Sequence, residues 1–167
     1  MRLSRRTLLW MVPIFVTIHN LEEALFMPAF LQTRNSSVPG PLRNLLPPIT
    51  YRQFLFSLII VTAMPYLIAS LGNLDRDGAG GVCLLLGFQV VMLFNVLAHG
   101  MTAAAMNGYA PGVVTAFVLN LPFSVYLLLR ASTERWVSRR VMMVLFPVGL
   151  IIHAVGLPLL LILSGSL

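Results

Sequence analysis

The sequence contains no lysine, a single cysteine and few charged residues of any kind. Only 10% of its 167 residues are charged, whereas soluble domains carry about 25%. Because 58% of the residues are hydrophobic, the chain has too little polar surface to face water on all sides. The lone Cys83 lies in an apolar run, which excludes a disulfide framework. The composition therefore predicts a membrane protein.

All eleven basic residues are arginines, and they give the chain a net charge of +6. A basic chain invites a nucleic-acid partner, but these arginines lie at the ends of apolar runs, where they are typical topology signals. We therefore predict no nucleic-acid partner. Ser4, Arg5 and Arg6 resemble the start of an export signal, yet no small-residue cleavage site follows them. The first apolar run is therefore expected to remain as an uncleaved span.

The apolar runs predict an all-α fold, a polytopic bundle of about five transmembrane helices in one domain. The spans are expected at about 7–30, 52–71, 80–106, 111–130 and 141–163. The loop at 32–51 is rich in proline and apolar in its second half, so we expect it to lie partly at the membrane interface.

The distribution of arginines between the loops predicts the orientation of the chain. Eight arginines fall on the side of the N-terminus and three on the other: Arg2, Arg5, Arg6, Arg76, Arg130, Arg135, Arg139 and Arg140 against Arg34, Arg43 and Arg52. Because short cytoplasmic loops carry the excess of positive charge, the N-terminus is expected inside and the C-terminus outside. The expected location is the bacterial inner membrane.

Most of the polar residues inside the spans are predicted to share one depth. A helix rises about 1.5 Å per residue, which puts His19, Asn95 and His153 about 18–20 Å from the cytoplasmic ends of their spans. On the same scale Asn120 lies at about 14–15 Å and His99 at about 25 Å. Four helices thus bring polar groups into one layer between the midplane and the outer leaflet.

Two adjacent glutamates in the first span, Glu22 and Glu23, face the same side of the helix as His19. At about 100° per residue, Glu22 lies about 60° to one side of His19 and Glu23 about 40° to the other. A charged carboxylate in the bilayer costs at least about 2.5–3.5 kcal/mol. The pair must therefore be protonated, paired with protonated histidines, or bound to a metal ion.

Imidazole and carboxylate ligands together favour a divalent metal such as zinc or iron. The candidate ligands are His19, Glu22, Glu23, His99 and His153. The candidate catalytic residues are Glu22, Glu23, His19 and Asn95, and Asn120 is expected to orient a ligand or to stabilise an oxyanion. The sequence leaves open whether His153 belongs to this site.

Several segments resemble the HXXEE family of small integral membrane proteins. They are His19-Asn20-Leu21-Glu22-Glu23, Asn95-Val96-Leu97-Ala98-His99, Tyr109-Ala110-Pro111-Gly112-Val113-Val114-Thr115, Leu121-Pro122 and Tyr126. They cover most of the chain from the first span to the fourth, in order. The resemblance implies a shared polar site in the membrane, but no particular reaction.

A looser similarity is to intramembrane metal-dependent hydrolases of the prenyl-protein protease type, which also gather glutamates, histidines and an asparagine. The arginine expected after the glutamate pair is absent here, so this similarity concerns the kind of site alone. The leading hypothesis is a membrane-embedded, metal-dependent hydrolase acting on a lipid or another apolar small molecule.

Other interpretations of the same residues remain open. A metal-free enzyme would use a glutamate as acid and a histidine as base, as an isomerase, cyclase or epoxide hydrolase. A proton-coupled transporter would use them as a relay, and an assembly subunit as a structural ion-paired knot. Tyr51 and Tyr109 are expected in the aromatic belts at the span ends. Membrane lipid is the expected surrounding, and a homo-oligomer is possible.

Overall fold

The computed structural model describes residues 3–37, 49–72, 74 and 79–165. Over these residues the chain forms five long helices and no strand. We number them α1 (Arg5–Ser37), α2 (Tyr51–Leu71), α3 (Ala79–Ala105), α4 (Val113–Thr133) and α5 (Arg139–Leu163). Each is long and apolar enough to cross a membrane. The predicted all-α bundle of five spans is confirmed.

Two sequence predictions are not decided by the fold. Helix α1 runs to Ser37, past the expected end of the first span at residue 30. Residues 38–48 of the loop that follows, which include most of its apolar second half, lie outside the described residues. The orientation of the termini also stays a prediction.

Helix α3 is the most buried of the five helices and α5 the least. In membranes, lipid tails are as apolar as leucine, so helices associate through close packing and interhelical hydrogen bonds. The apolar core is formed mainly by α1, α3 and α4, with residues of α5 at one end. Its fully buried side chains include Leu8, Leu9, Val12, Val82, Leu85, Leu86, Val90 and Leu127.

Hydrogen bonds between side chains set the register of neighbouring helices. Pairs of described residues that join neighbouring helices in this way include Asn20 with Thr62 at 2.6 Å, Gln89 with Ser124 at 2.6 Å, and Thr17 with Tyr66 at 3.1 Å. Ser57 of α2 is bonded in the same way to Ser164, directly after α5, at 2.8 Å. Each such contact contributes only about 0.6 kcal/mol on average in a membrane protein. Their main effect is to fix which residues of adjacent helices lie opposite one another.

Helices α4 and α5 each contain one turn of π-helix, at Ala116–Asn120 and at Ile152–Gly156. Both turns come directly before a Leu-Pro pair, with Pro122 and Pro158 near the start of the next α-helical segment. A proline ring clashes with the carbonyl four residues earlier, and a wider turn relieves this clash. These turns carry Asn120 and His153.

Candidate functional site

Three side chains from α1 and α3 converge at the polar layer. One ligand atom each from His19, Glu23 and His99 lies within 4.8 Å of the others, which is the arrangement of a group that can hold a metal ion. In a tetrahedral zinc site the ligand atoms are about 3.4 Å apart, given bonds of about 2.0–2.2 Å. Small side-chain movements would therefore close this triad around an ion.

The two histidines of the triad face each other, and His19 is more deeply buried than His99. Their ring centroids are 4.9 Å apart at an interplanar angle of 82°. His19 is fully buried, and His99 Nε2 lies 3.2 Å from a carboxylate oxygen of Glu23. His19 Nε2 has no hydrogen-bond partner among the described residues. A buried nitrogen without a partner is uncommon and indicates a ligand position.

Glu22 turns away from the triad and anchors the start of α4. Its carboxylate accepts hydrogen bonds from the Tyr109 hydroxyl at 2.6 Å and from the backbone N–H groups of Val114 and Thr115. The Thr115 hydroxyl donates a fourth bond at 2.6 Å. Backbone N–H groups at a helix N-terminus favour a negative charge, so the carboxylate suits this position.

Tyr109 lies in the loop between α3 and α4, beside Phe26, whose ring centroid is 5.3 Å away. Burial and the hydrogen bond to Glu22 raise the pKa of Tyr109 above its usual value. Its hydroxyl therefore remains protonated and donates to the carboxylate. The sequence predicted only an aromatic-belt position for this residue, whereas the structure also gives it a partner in the polar layer.

A chain of hydrogen bonds through Thr115 orients His19. Thr115 Oγ1 lies 2.9 Å from His19 Nδ1 and donates its one proton to Glu22. Since a hydroxyl has a single proton, Thr115 must accept from His19, so Nδ1 carries the proton. In a neutral imidazole, Nε2 is then left with a free lone pair. This Glu22–Thr115–His19 relay therefore prepares the nitrogen that faces the triad.

Gly112 closes the site from the loop side. Its φ is +84°, in the left-handed region that glycine adopts without strain. A Cβ added at this position would lie 2.8 Å from carbon atoms of His19, Glu23 and His99. Only a residue without a side chain fits, because the three residues of the triad surround this point.

Two carboxamides complete the layer. Asn95 is on α3, one turn before His99, and lies next to the His19 ring. Asn120, in the π turn of α4, is 1% exposed, and neither its oxygen nor its nitrogen has a hydrogen-bond partner among the described residues. The Asn95 Oδ1 atom is likewise buried and makes no hydrogen bond of ordinary geometry within the described part of the chain, although the Asn95 side chain interacts with His19.

His153 lies in the π turn of α5 and is half-buried. It is near enough to His99 for the two rings to influence each other electrostatically. It is not among the residues whose ligand atoms converge within 4.8 Å, and neither is Glu22. Their roles as metal ligands stay predictions.

The structure thus brings together His19, Glu23 and His99, and it points Glu22 at the neighbouring helix. Sequence reasoning missed Thr115 and Gly112 as parts of the site. Signals for both were present, since Pro111-Gly112 marks a turn that needs a positive φ and Thr115 follows three residues later. No local pattern in the sequence indicates that this turn packs against α1.

Comparison with known proteins gives a family but no activity. Residues 10–127 match the family model described as "Protein of unknown function with HXXEE motif". The chain is 29% identical over 108 residues to the uncharacterized protein YrkK of Bacillus subtilis. The match covers 64% of this chain and 63% of YrkK, so it extends over less than two thirds of that relative. No solved structure matches.

Proposed function

The chain belongs to the HXXEE family, and from its site we propose a membrane-embedded, metal-dependent hydrolase acting on a lipid or another apolar small molecule. We further propose the bacterial inner membrane as its location. The single observation that carries the proposal is the convergence of His19, Glu23 and His99 in a buried layer. Three protein ligands leave one position of a tetrahedral metal open, as in catalytic zinc sites.

The proposal gives each residue a defined task. His19 and His99 would hold a zinc or iron ion through Nε2, and Glu23 would hold it through one carboxylate oxygen. Such an ion lowers the pKa of a bound water and so supplies a nucleophile at neutral pH. The second oxygen of Glu23 would be free to accept a proton from this water. Glu22 acts through Thr115 by holding His19 in place.

A hydrogen bond on the second nitrogen of a metal-bound histidine supports the proposal independently. Metal-binding histidines almost always donate their other N–H to a carboxylate, carbonyl or water, which fixes ring orientation and raises basicity. His19 meets this condition through Thr115 and Glu22. A histidine with only a packing role does not need a carboxylate placed behind it in this way.

The test of the proposal is metal content together with hydrolysis. We expect protein purified gently in detergent to hold about one zinc or iron per chain, and Glu23→Gln to hold none, because one of three ligands is lost. Hydrolysis of p-nitrophenyl decanoate in mixed micelles should stop on chelation and return on reloading. Active wild-type protein without stoichiometric metal would rule the proposal out.

A metal-free acid–base enzyme is the second candidate, and one observation favours it. His99 Nε2 and Glu23 Oε1 lie 3.2 Å apart, which is a direct acid–base pair in a shielded layer. Such a pair can move a proton on an apolar substrate without an ion. Turnover of an alkene or epoxide probe that survives chelation but is lost in Glu23→Gln would select this candidate.

The relay makes its own prediction. Thr115→Val keeps the shape of the side chain but removes the hydroxyl, so His19 loses the group that fixes its ring. We expect metal affinity to fall by about 10–100-fold, the usual effect of losing a partner behind a ligand. Competition with a chromophoric chelator measures this. Thr115→Ser, which keeps the hydroxyl, is the control and should retain affinity within a few-fold.

A merely structural role for Thr115 predicts a different pattern. In that case Thr115→Val would lower the unfolding midpoint, and the metal affinity of the folded fraction would be unchanged. Nitrogen NMR of labelled His19 adds a direct readout. The relay requires the proton on Nδ1 in the wild type and a mixture of tautomers in Thr115→Val.

A further inference from the structure

Asn120 is buried without partners and faces the interior of the bundle. It is 1% exposed, and its Nδ2 and Oδ1 both lack hydrogen-bond partners in the described part of the chain. Burying a carboxamide without hydrogen bonds is costly, so such a group calls for a partner, such as a bound ligand, water or ion. The assignment of oxygen and nitrogen does not affect this point, because both atoms are unpartnered.

The π turn changes the side of α4 on which Asn120 lies. In a regular α-helix Asn120 would lie about 140° around the axis from Thr115, which contacts His19. The wider turn, closed by the bond from the Leu121 N–H to the Ala116 carbonyl, reduces this angle. Thr115 and Asn120 therefore point to similar sides of α4, one turn apart.

The depth of Asn120 follows from two contacts between α3 and α4. Gly112, just before α4, lies against His99, and Ser124 is hydrogen-bonded to Gln89. Since the two helices run antiparallel, Asn120 lies opposite the part of α3 between those two points. Asn95 is in that part, one turn below His99. We call Asn95 and Asn120 the carboxamide floor of the site.

We propose that the carboxamide floor binds the amide group of a long-chain amide, which makes such amides the substrate class of the site; this rests on the proposed hydrolase function. Asn120 needs a partner that both accepts and donates a hydrogen bond, since both polar atoms of its side chain lack one. An amide offers both, whereas an ester has no N–H. A carboxylate would be repelled by Glu22 and Glu23.

The reaction balances without an oxidant or a reductant. In such a hydrolysis the oxygen of the attacking water would form a bond to the amide carbonyl carbon, and the carbon–nitrogen bond would break. The proton taken up by Glu23 passes to the leaving nitrogen, which departs as an amine. The floor donates from Asn120 to the carbonyl oxygen, where negative charge develops during attack.

The test compares two asparagines that are both buried but differ in their partners. Asn20 is 6% exposed and donates to Thr62, whereas Asn120 has no partner in the described chain. We expect Asn120→Leu to keep or raise the unfolding midpoint in detergent, because it removes an unsatisfied group. Asn20→Leu should lower it. A drop for Asn120→Leu like that for Asn20→Leu would overturn the proposal.

Binding is measured with decanamide and methyl decanoate at equal mole fraction in the detergent. Decanamide should raise the wild-type unfolding midpoint, with an affinity at least tenfold above that of the ester. Asn120→Leu should keep its metal but lose this preference, and Asn20→Leu should keep both. Equal binding of decanamide to Asn120→Leu and to the wild type would refute the proposal that the carboxamide floor binds the amide group.

The experiment also distinguishes failure of the amide-binding proposal from failure of the metal-dependent hydrolase proposal. If the wild type holds no metal, the hydrolase function fails, and the decanamide shift is measured on the metal-free protein. A shift in the wild type that disappears in Asn120→Leu then still supports the amide site. The absence of a shift in the wild type refutes the site whatever the metal content.

Discussion

Gly112→Ala is expected to abolish metal binding and to destabilise the bundle. The added methyl would lie 2.8 Å from carbon atoms of His19, Glu23 and His99, in the space that they surround. It would also hold a non-glycine residue at φ +84°, which costs about 1–2 kcal/mol. The ligands can accommodate the methyl only by moving apart, so metal affinity should fall by more than about a hundredfold. This is more than the loss expected when a residue that hydrogen-bonds to a metal ligand is removed.

Gly108→Ala is the matched control for this substitution. It lies in the same loop, and a Cβ there meets only the Met106 carbonyl oxygen, at an ordinary 3.7 Å. Its metal content and unfolding midpoint should stay close to those of the wild type. Gly112→Ala with a full complement of metal would show that the triad does not surround the ion.

The second large expected effect is a difference in metal affinity between variants of His99 and His153, the two histidines that lie outside α1. His99→Ala removes one of three converging ligands and should lower metal affinity by more than about a hundredfold. Loss of a residue that only hydrogen-bonds to a metal ligand already lowers affinity by up to about a hundredfold, and loss of the ligand itself should cost more. His153→Ala leaves the converging group intact and should change affinity by less than about threefold. Titration of both variants with zinc against a chelator measures the difference.

His153→Ala is also the control for general damage in this layer, because His153 is half-buried near His99. Equal losses of metal affinity with unfolding midpoints like that of the wild type would mean that His153 is a ligand, as the sequence allowed. Equal losses with lowered midpoints would indicate general damage to the layer. Equal affinities close to that of the wild type would mean that His99 is not a ligand, and the triad would be wrong.

The arrangement of spans was predictable because it depends on local properties. Runs of about 20 apolar residues broken by polar turns are enough to indicate five helices. The rise per residue is also fixed, so His19 and His99 could be assigned to one layer before their contact was known. The structure brings their ring centroids to 4.9 Å.

The roles of the two glutamates could not be separated in this way. Glu22 and Glu23 lie about 60° and 40° to either side of His19, and the choice between them depends on which helix packs on which side. In the structure α3 lies on the side of Glu23, and the N-terminus of α4 lies on the side of Glu22. That order is a property of the whole bundle, and no local pattern contains it.

The π turns could have been predicted in part. Asn120-Leu121-Pro122 and Gly156-Leu157-Pro158 place a proline inside an apolar span, where its missing N–H and its ring disturb the preceding turn. A disturbed turn was therefore foreseeable at both places. That this turn takes the form of a π turn, with Asn120 directed inward, could not be foreseen. It depends on packing against α1 and α3.

X-ray absorption spectroscopy of the zinc-loaded protein in detergent tests the central claim most directly, because it identifies the atoms bound to the ion. We predict a shell of nitrogen and oxygen at about 2.0–2.2 Å that contains two imidazoles, falling to one in His99→Ala. A spectrum without imidazole scattering, or one unchanged in His99→Ala, would contradict a metal centre built from His19, Glu23 and His99.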